Sequence, residues 1–259
     1  MLRLVEKLID NLYSVLPRQI PDKRQLKNTR IIAHRGAHDH AKGIYENTLA
    51  AFDRAKALGC DGIELDIHAT RDHQLVVHHD PDLSRLWGLP YRIADMSFQA
   101  LRQKAPNVPL LSEVIKIYGK KMHLFIELKA PFSEEQALSS VLKPLEAGAD
   151  YHLISLDEAI FAGMNLFERQ HMLLVADFNK TKTYCQLSLQ KHYGGVMGHY
   201  LLLNQRIVHA LKSAHQNVGV GFVDSTNSLY REVNRGIPWL FTNNPSALFE
   251  SKAVNNQSF

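Results

Sequence analysis

Cysteine is scarce in this sequence of 259 residues: only Cys60 and Cys185 are present, and neither belongs to a CxxC pair. Two such residues cannot build the disulfide framework of a small secreted protein, so reduced thiols in a cytoplasmic protein are expected. Glycine and proline are also sparse, with 14 and 10 residues, which excludes a collagen-like or low-complexity chain. No apolar run approaches the length of a membrane span without charges, so we expect no integral membrane segment.

A strong charge of either sign is absent as well. The 30 Lys and Arg residues outnumber the 26 Asp and Glu residues, which gives a formal net charge of +4 at pH 7. This excess favours the approach of an anionic substrate, but it is too small to indicate a nucleic-acid-binding protein. Hydrophobic residues make up 45% of the chain and charged residues 22%, as in ordinary globular proteins. The 14 histidines are the one unusual feature of the composition.

The first 16 residues predict an amphipathic helix rather than a targeting signal. Charged residues interrupt the segment, so it has neither the continuous apolar core of a secretory signal nor a small-residue cleavage site. Its apolar side chains recur at helical spacing, and Pro17 ends the pattern. These side chains are Leu2, Val5, Leu8, Ile9, Leu12, Tyr13 and Leu16. We expect the helix to pack on the body of the domain, with a homodimer contact and a membrane-surface helix as the alternatives.

Eight short apolar segments with helical patterns between them predict a (β/α)8 barrel. Strands separated by helices form right-handed βαβ units and a parallel sheet, and eight such units fit a chain of about 250 residues. An open doubly wound sheet is the alternative, but no glycine-rich phosphate loop follows the first segment. The predicted strands are Arg30–His34, Gly62–Asp66, Met122–Leu128, Tyr151–Ser155, Met172–Ala176, Gly195–Met197, Val218–Val223 and Trp239–Thr242.

Capping residues and turn signals predict the rest of the organisation. Three helices begin after Asn47 or Thr48, Asp157 and Asn204, and end at Gly59, Glu168 and about Gln216 respectively. Residues 18–29 are predicted as a linker, 74–79 as an extended segment or hairpin arm over the barrel mouth, and 87–111 as a loop with a short helix. We therefore expect one barrel domain over residues 30–250, an N-terminal helix and linker over 1–29, and a tail over 251–259.

Acidic side chains lie at the predicted carboxyl ends of two neighbouring strands, where barrel enzymes place their reactive groups. Glu64 and Asp66 are two residues apart on one strand, so both carboxylates point to the same side. Glu127 ends the next strand, two residues before Lys129. Three carboxylates this close repel one another unless a cation lies among them. Oxygen ligands favour Mg²⁺ or Ca²⁺ as that cation.

Each of these features also has an ordinary structural explanation. Carboxylates at strand ends are most often solvated, and His34 or His79 can be hydrogen-bonded structural histidines. A zinc site at His38 and His40 is not favoured, since the sequence offers them neither cysteine partners nor helical spacing. Three carboxylates, two histidines and two cations at predicted strand ends nevertheless indicate one catalytic site when they are taken together.

Five short motifs, in this order, resemble the glycerophosphodiester phosphodiesterase family. The motifs are His34-Arg35-Gly36, Glu46-Asn47-Thr48, Glu64-Leu65-Asp66, His79-Asp80 and Glu127-Leu128-Lys129. The resemblance extends from about Arg30 to Phe249 and includes the closing segment Val218–Pro245. It implies a (β/α)8 barrel that hydrolyses glycerophosphodiesters to glycerol 3-phosphate and an alcohol with the help of a divalent metal ion.

The resemblance also implies a role for each motif residue. The implied assignments are Glu64, Asp66 and Glu127 as metal ligands, His34 and His79 as general acid and base, Arg35, Lys129 and Phe222 as substrate-binding residues, and Glu46 as an orienter of the metal or of His34. The implied reaction is attack on phosphorus by the 2-hydroxyl of the substrate, which gives a cyclic phosphate that water then opens. The sequence leaves open which histidine acts first as the base.

Three departures from the family pattern affect the expected substrate rather than the expected chemistry. Tyr45 stands where the family often has Pro, Phe222 where many members have Trp, and Asn243 where an Asp is common. A lysophospholipase D that acts on lipid-bearing substrates is therefore the alternative to a glycerophosphodiester phosphodiesterase. A third hypothesis is a catalytically silent barrel that binds phosphate esters or a partner protein.

Overall fold

Nine strands form the centre of the protein in a computed structural model, which describes residue 9 and residues 11–177 and 179–250. Eight of these strands are parallel and pair in the ring order β1-β2-β4-β5-β6-β7-β8-β9, and β9 returns to β1. The predicted (β/α)8 barrel is therefore confirmed. The strands are β1 Arg30–His34, β2 Gly62–Ala69, β3 Leu75–Val77, β4 His123–Leu128, β5 Tyr151–Ser155, β6 Met172–Ala176, β7 Gly195–His199, β8 Asn217–Gly221 and β9 Trp239–Thr242.

Helices connect the successive barrel strands and pack on their outer side. They are α1 Lys23–Asn28, α2 Leu49–Leu58, α3 Ser84–Trp87, α4 Phe98–Lys104, α5 Leu111–Tyr118, α6 Glu135–Leu142, α7 Glu158–Gly163, α8 Thr181–Lys191, α9 Gln205–Ser213 and α10 Thr226–Asn234. Residues 245–250 are also helical. The caps predicted for α2 are confirmed: the Thr48 side chain accepts the Ala51 N–H, and Gly59 ends the helix at φ 86°. That backbone conformation favours glycine.

The predicted bounds of β2, β4, β7 and β8 differ from the observed ones by one to three residues, and three of the predicted helix and linker boundaries are wrong. The predicted linker contains α1, which starts at a capping box: Asp22 accepts the Gln25 N–H while the Gln25 side chain accepts the Asp22 N–H. The helix after Asp157 ends at Gly163 rather than Glu168. The Met164 N–H closes the last turn on the Phe161 carbonyl, and the N–H groups of residues 165 and 166 then donate to Glu135 of α6 instead of continuing the helix. The helix after Asn204 ends three residues early, at Ser213.

Alternation along the barrel strands decides which side chains face inward. On β2 the residues Ile63, Leu65 and Ile67 belong to the large core between the barrel and its helices. The period of two then turns Glu64 and Asp66 toward the barrel axis. The part of the barrel interior nearer the starts of the strands is filled by a separate apolar cluster. Its members are Ile32, Phe125, Ile154, Leu173, Met197, Trp239 and Phe241.

One segment between β2 and β4 does not follow the simple alternation. β3 pairs antiparallel with β2, with Ile67 opposite Val77, so the predicted hairpin arm is confirmed. Residues 78–110, between β3 and α5, fold over their own small core, which is separate from the main one. That core contains Val76, Leu83, Ile93, Met96, Leu101, Ala105 and Val108. The segment therefore forms a packed rim beside the barrel mouth.

The described part of the N-terminal segment is anchored on α10. Residues 11–15 are helical, the Tyr13 ring lies 4.6 Å below the Arg231 guanidinium, and Asn227 donates to the Ser14 carbonyl. Leu12 and Leu16, which the periodicity places on the packing face, are exposed. Leu2, Val5 and Leu8 of the predicted helix and the predicted tail 251–259 lie outside the described residues. None of the helices described is long and apolar enough to cross a membrane.

Candidate active site

The parallel strands bring the predicted acidic side chains together at one end of the barrel. The register places His34 of β1 beside Glu64 of β2, and Asp66 of β2 beside Glu127 of β4. One carboxylate oxygen from each of Glu64, Asp66 and Glu127 lies within 4.8 Å of the other two. The structure therefore joins all three predicted metal ligands in one group, at the end of the barrel where such sites occur.

The surroundings of these carboxylates disfavour three negative charges at once. Burial raises the pKa of Glu64 well above its usual value, and the charges of Asp66 and Glu127 add to the rise. Burial and the Asp66 charge raise the pKa of Glu127 to about 7. Oε1 of Glu64 is buried without a hydrogen-bond partner. The group fits a hard divalent cation, because such an ion would offset the repulsion and ligate the unpartnered oxygen.

Two permanent cations lie against the Asp66 carboxylate. Lys129 Nζ is 2.7 Å from Asp66 Oδ1 and also contacts Glu127. Arg35 Nε is 3.3 Å from Asp66 Oδ2. Burial alone would raise the pKa of Asp66, but the charges of Lys129 and Arg35 outweigh it and hold the pKa below its usual value. Asp66 is therefore ionised, and both cations are poised at the floor of the site.

His34 is held as a neutral base by a neutral partner. Its Nδ1 donates to Asn243 Oδ1 at 2.7 Å, and the amide orientation follows from Asn243 Nδ2, which donates to Asp224 Oδ2. Burial, assisted by the Arg35 charge, lowers the pKa of His34 to about 3. The proton on Nδ1 leaves a lone pair on Nε2, which lies 3.7 Å from Glu64 Oε2. This nitrogen can accept a proton inside the cavity.

His79 is the second histidine at the cavity, and its partner is a carboxylate. Its Nδ1 donates to Asp80 Oδ1 at 2.8 Å. Burial lowers the pKa of His79, whereas the Asp80 hydrogen bond acts in the opposite direction. The neighbouring His78 is buried away from the cavity, where it donates to the Asp80 carbonyl and accepts from Trp87 Nε1. The geometry thus brings His79, and not His78, to the predicted site.

Glu46 contacts arginines rather than the groups predicted for it. Its carboxylate accepts from Arg35 Nη1 at 2.8 Å and from Arg85 Nη2 at 2.6 Å. Glu46 therefore holds Arg35, and its predicted role as an orienter of the metal or of His34 stays a prediction. Arg85 also donates from Nε to Asp80 Oδ2 at 2.5 Å. The Arg85 guanidinium thus links two carboxylates. One is Glu46, which holds Arg35, and the other is Asp80, which holds His79.

The cavity that these residues line has a volume of about 290 Å³ and two unlike sides. One side carries the acids, histidines and cations described above. The other side is largely apolar and is supplied by β5–β9 and their loops. Its members include Ile154, Leu156, Val175, Met197, Phe222 and Phe241. The exposed Phe222 ring, predicted to bind substrate, lies 4.5 Å from the His34 ring, so the apolar side adjoins this histidine.

Residues 34–151 match the sequence profile of the glycerophosphoryl diester phosphodiesterase family. The match covers a little under half of the chain. The matched range begins at His34 and includes Lys129, so it contains all five motifs on which the resemblance was based.

Curated relatives share parts of the sequence. A glycerophosphodiester phosphodiesterase of Caldanaerobacter subterraneus is 35% identical over 130 residues, which cover 44% of this chain and 52% of that protein. A glycerophosphodiester phosphodiesterase of Bacillus subtilis is 26% identical over 253 residues, 85% of each chain. A lysophospholipase D of Homo sapiens is 37% identical over 113 residues, 37% of this chain and 35% of that protein. The chain thus spans about half the length, or less, of the relatives with the higher identities.

Solved structures share the fold at lower identity. A glycerophosphodiester phosphodiesterase from Agrobacterium tumefaciens has a TM-score of 0.74 at 20% identity, with 86% of this chain and 99% of that chain covered. A phosphodiesterase from Oleispira antarctica, in complex with the product sn-glycerol-3-phosphate, has a TM-score of 0.69 at 22% identity, with 86% and 96% covered. These likenesses establish the barrel fold.

Three residues support the site without an assignment from the sequence. Asn47 donates to Asp66 Oδ2 at 2.8 Å and accepts the Asp66 N–H, so it fixes that carboxylate. Asn243 holds His34, and Arg85 holds Glu46 and Asp80. Asn47 lies inside a recognised motif and Asn243 was noted as a departure, so both had a sequence signal. Arg85 had none.

Proposed function

We propose that this chain hydrolyses glycerophosphodiesters to glycerol 3-phosphate and an alcohol, with a divalent metal ion and two histidines. The observation that carries the proposal is the meeting of three carboxylates, two cationic side chains and two imidazoles around one cavity. The relatives that are glycerophosphodiester phosphodiesterases support the substrate class. The neighbour that holds sn-glycerol-3-phosphate supports the product. The cytoplasmic location and the homodimer stay predictions from the sequence.

The residues at the cavity floor would bind the phosphodiester anion. Arg35 and Lys129 would hold its phosphate oxygens, since both cations are fixed beside Asp66 and face the cavity. Glu64, Asp66 and Glu127 would hold the divalent cation, Mg²⁺ or Ca²⁺. When bound, this ion would supply positive charge to a phosphate oxygen and lower the pKa of a ligated hydroxyl. Phe222 would pack against the glycerol carbon atoms.

The hydrogen-bond partners of the two histidines suggest which one acts first as the base. His34 is neutral and offers a lone pair on Nε2, so it would remove the proton from the substrate 2-hydroxyl. The carboxylate of Asp80 favours the protonated form of His79, so His79 would donate a proton to the leaving alkoxide as the phosphorus–oxygen bond breaks. The second step, in which water opens the cyclic phosphate, would exchange these roles.

Removal of one acidic ligand tests the metal dependence. Glu64→Gln keeps the side-chain size but removes one negative charge from the metal group, so we expect glycerol 3-phosphate release from glycerophosphocholine to fall by about 10²–10³-fold. EDTA should abolish activity of the unaltered protein, and Mg²⁺ or Ca²⁺ should restore it. Glu168→Gln, an exposed acid far from the cavity, is the matched control and should retain full activity. Turnover that EDTA leaves unchanged would contradict the proposal.

A lysophospholipase D is the second candidate function, and the apolar side of the cavity favours it. Leu156 and Phe222 are each 41% exposed at the cavity, and an acyl chain packed on them would gain about 0.8 kcal/mol per buried CH₂. We expect glycerophosphocholine to remain the better substrate, because this wall is short and the enclosed volume is small. The measurement compares kcat/KM for glycerophosphocholine and lysophosphatidylcholine.

Leu156→Ser separates the two substrate classes within one experiment. Leu156 lies on the apolar side of the cavity and is none of the proposed catalytic groups, so the substitution should leave turnover of glycerophosphocholine unchanged. It should raise the KM for lysophosphatidylcholine, whose chain would lie against the altered wall. A higher kcat/KM for the lysophospholipid, sensitive to Leu156→Ser, would make lysophospholipids the substrate class.

A further inference from the structure

A second hollow, of about 460 Å³, lies at the end of the barrel opposite to the proposed active site. It is formed where strands begin: His152 is the second residue of β5, His171 directly precedes β6, and Trp239 is the first residue of β9. Four of the 14 histidines line it, together with aromatic and amide side chains. These histidines are His152, His171, His192 and His215. The proposed reaction uses none of them.

Two hydrogen bonds determine which ring nitrogen of His152 carries the proton, and they pass through the neighbouring His123. His123 Nδ1 lies 3.0 Å from the Ala149 carbonyl oxygen, which can only accept, so Nδ1 carries the proton. Nε2 of His123 is then an acceptor, and it accepts from His152 Nδ1 at 2.8 Å. His152 therefore carries its proton on Nδ1 and a lone pair on Nε2. Burial lowers the pKa of His123 to about 4 and that of His152 to about 3, so both rings are neutral at pH 7.

This arrangement resembles the way proteins orient a metal-binding histidine. Such a histidine donates one ring N–H to a fixed partner and presents the other nitrogen to the metal. His152 is 3% exposed, donates to His123 and lines the hollow with the rest of its ring. Nε2 of His152 has no hydrogen-bond partner among the residues that the structure describes. A nitrogen lone pair without a partner on a residue that lines a polar hollow indicates a ligand that accepts an electron pair, such as a metal cation.

The nearest additional ligand is His171. Its ring centroid lies 6.3 Å from that of His152, and it stands over Gly148, where any side chain would clash: a Cβ at Gly148 would come within 2.8 Å of His171 Nδ1. His192 and His215 are exposed at the ends of α8 and α9. Within the described ranges, the ring nitrogens of these three histidines form no hydrogen bond. Their rings can therefore turn toward a ligand without losing a partner.

We propose that this hollow binds a divalent transition-metal ion of the Zn²⁺ or Cu²⁺ class through His152 and His171, with His192 or His215 completing the coordination. Neutral imidazole is a preferred ligand of these ions, whereas Mg²⁺ and Ca²⁺ prefer oxygen. Among the described residues, only the acidic group has three ligand atoms already within 4.8 Å of one another. Binding in the hollow therefore includes rotation of the exposed rings.

The two sites should be independent. They lie at opposite ends of the barrel strands, and their ligand atoms favour different ions. A metal in the hollow should consequently bind whether or not the chain hydrolyses glycerophosphodiesters. The test below measures binding only, so its failure would leave the proposed function untouched.

The fluorescence of Trp239 provides a local reporter of metal binding. The chain has two tryptophans, and the Trp239 ring lies 5.1 Å from the His152 ring. In a Trp87→Phe background, with excess Mg²⁺ to occupy the acidic group, Cu²⁺ should quench the emission and saturate near one equivalent. His171→Gln should weaken the apparent affinity at least tenfold. That substitution should leave the fold intact, because the ring has no hydrogen bond to lose.

Two matched controls locate the ion. His209→Gln, an exposed histidine on α9 outside the hollow, and Glu64→Gln in the acidic group should both leave the quenching curve unchanged. His152→Gln, checked for folding by circular dichroism, should abolish saturable quenching, whereas His171→Gln should only weaken the apparent affinity. Quenching that never saturates, that is equal in His171→Gln, or that disappears in Glu64→Gln would overturn the proposal.

Discussion

Replacement of His34 or of His79 by glutamine is expected to lower glycerol 3-phosphate release by about 10²–10⁴-fold in each case. Glutamine can keep one hydrogen bond, to Asn243 or to Asp80, but it cannot exchange a proton at neutral pH. The loss should appear in kcat more than in KM, because neither ring carries the charge that holds the phosphate. Steady-state kinetics on glycerophosphocholine measure both parameters.

Two further histidines provide the controls. His73→Gln, at an exposed residue paired with Glu134, should retain full activity. His78→Gln should lose far less activity than His79→Gln, since His78 is buried outside the cavity and contacts the Asp80 carbonyl and the Trp87 indole there. An equal loss in His78→Gln and His79→Gln would mean that turnover depends on the conformation of the loop after β3 and not on the His79 imidazole. Full activity of His34→Gln would remove the proposed base.

Phe125→Ala is expected to destabilise the protein by about 3–5 kcal/mol, the usual cost of truncating a buried aromatic ring. The Phe125 ring is fully buried in the barrel interior, and its centroid lies 5.0 Å from the Trp239 ring and 5.0 Å from the Phe241 ring. Its loss opens a cavity between β4 and β9 that the closed ring of strands cannot collapse to fill. For a chain of this size, the melting temperature should fall by about 6–20 °C.

Urea unfolding followed by circular dichroism measures the change, and Phe98→Ala is the control. Phe98 is half-buried in the rim segment, where Arg102 covers its ring, so its truncation should cost much less. Phe125→Leu should recover most of the lost stability because it refills much of the volume. A change below about 1 kcal/mol for Phe125→Ala would contradict the account of a tightly packed barrel interior.

Several features of the site could be predicted because they depend on local spacing. The two-residue separation of Glu64 and Asp66 placed both carboxylates on one side of a strand, and the apolar Leu65 between them marked the opposite side. Strand ends of a parallel barrel then bring Glu127 and His34 to the same mouth. His79, which the sequence analysis named, also lines the cavity.

Other features depend on contacts between distant segments and left no periodic signal. Asn243 meets His34 across 209 positions of the chain, and Arg85 reaches Glu46 from a rim segment whose fold rests on its own core. The early end of the helix after Asp157 has the same origin, since Glu135 captures the backbone that would have continued it. These contacts form only because the folded barrel brings segments that are distant in sequence close together.

The sequence by itself determined the barrel, the inward direction of the acidic side chains and the residue types of the site, because strand and helix periods and caps are local properties of the chain. The tertiary structure alone decided the partners: which amide holds His34, which arginine links Glu46 to Asp80, and which four histidines line one hollow. The physical reason is that a side chain's environment is set by whatever packs against it, and those neighbours come from strands and loops far apart in the sequence.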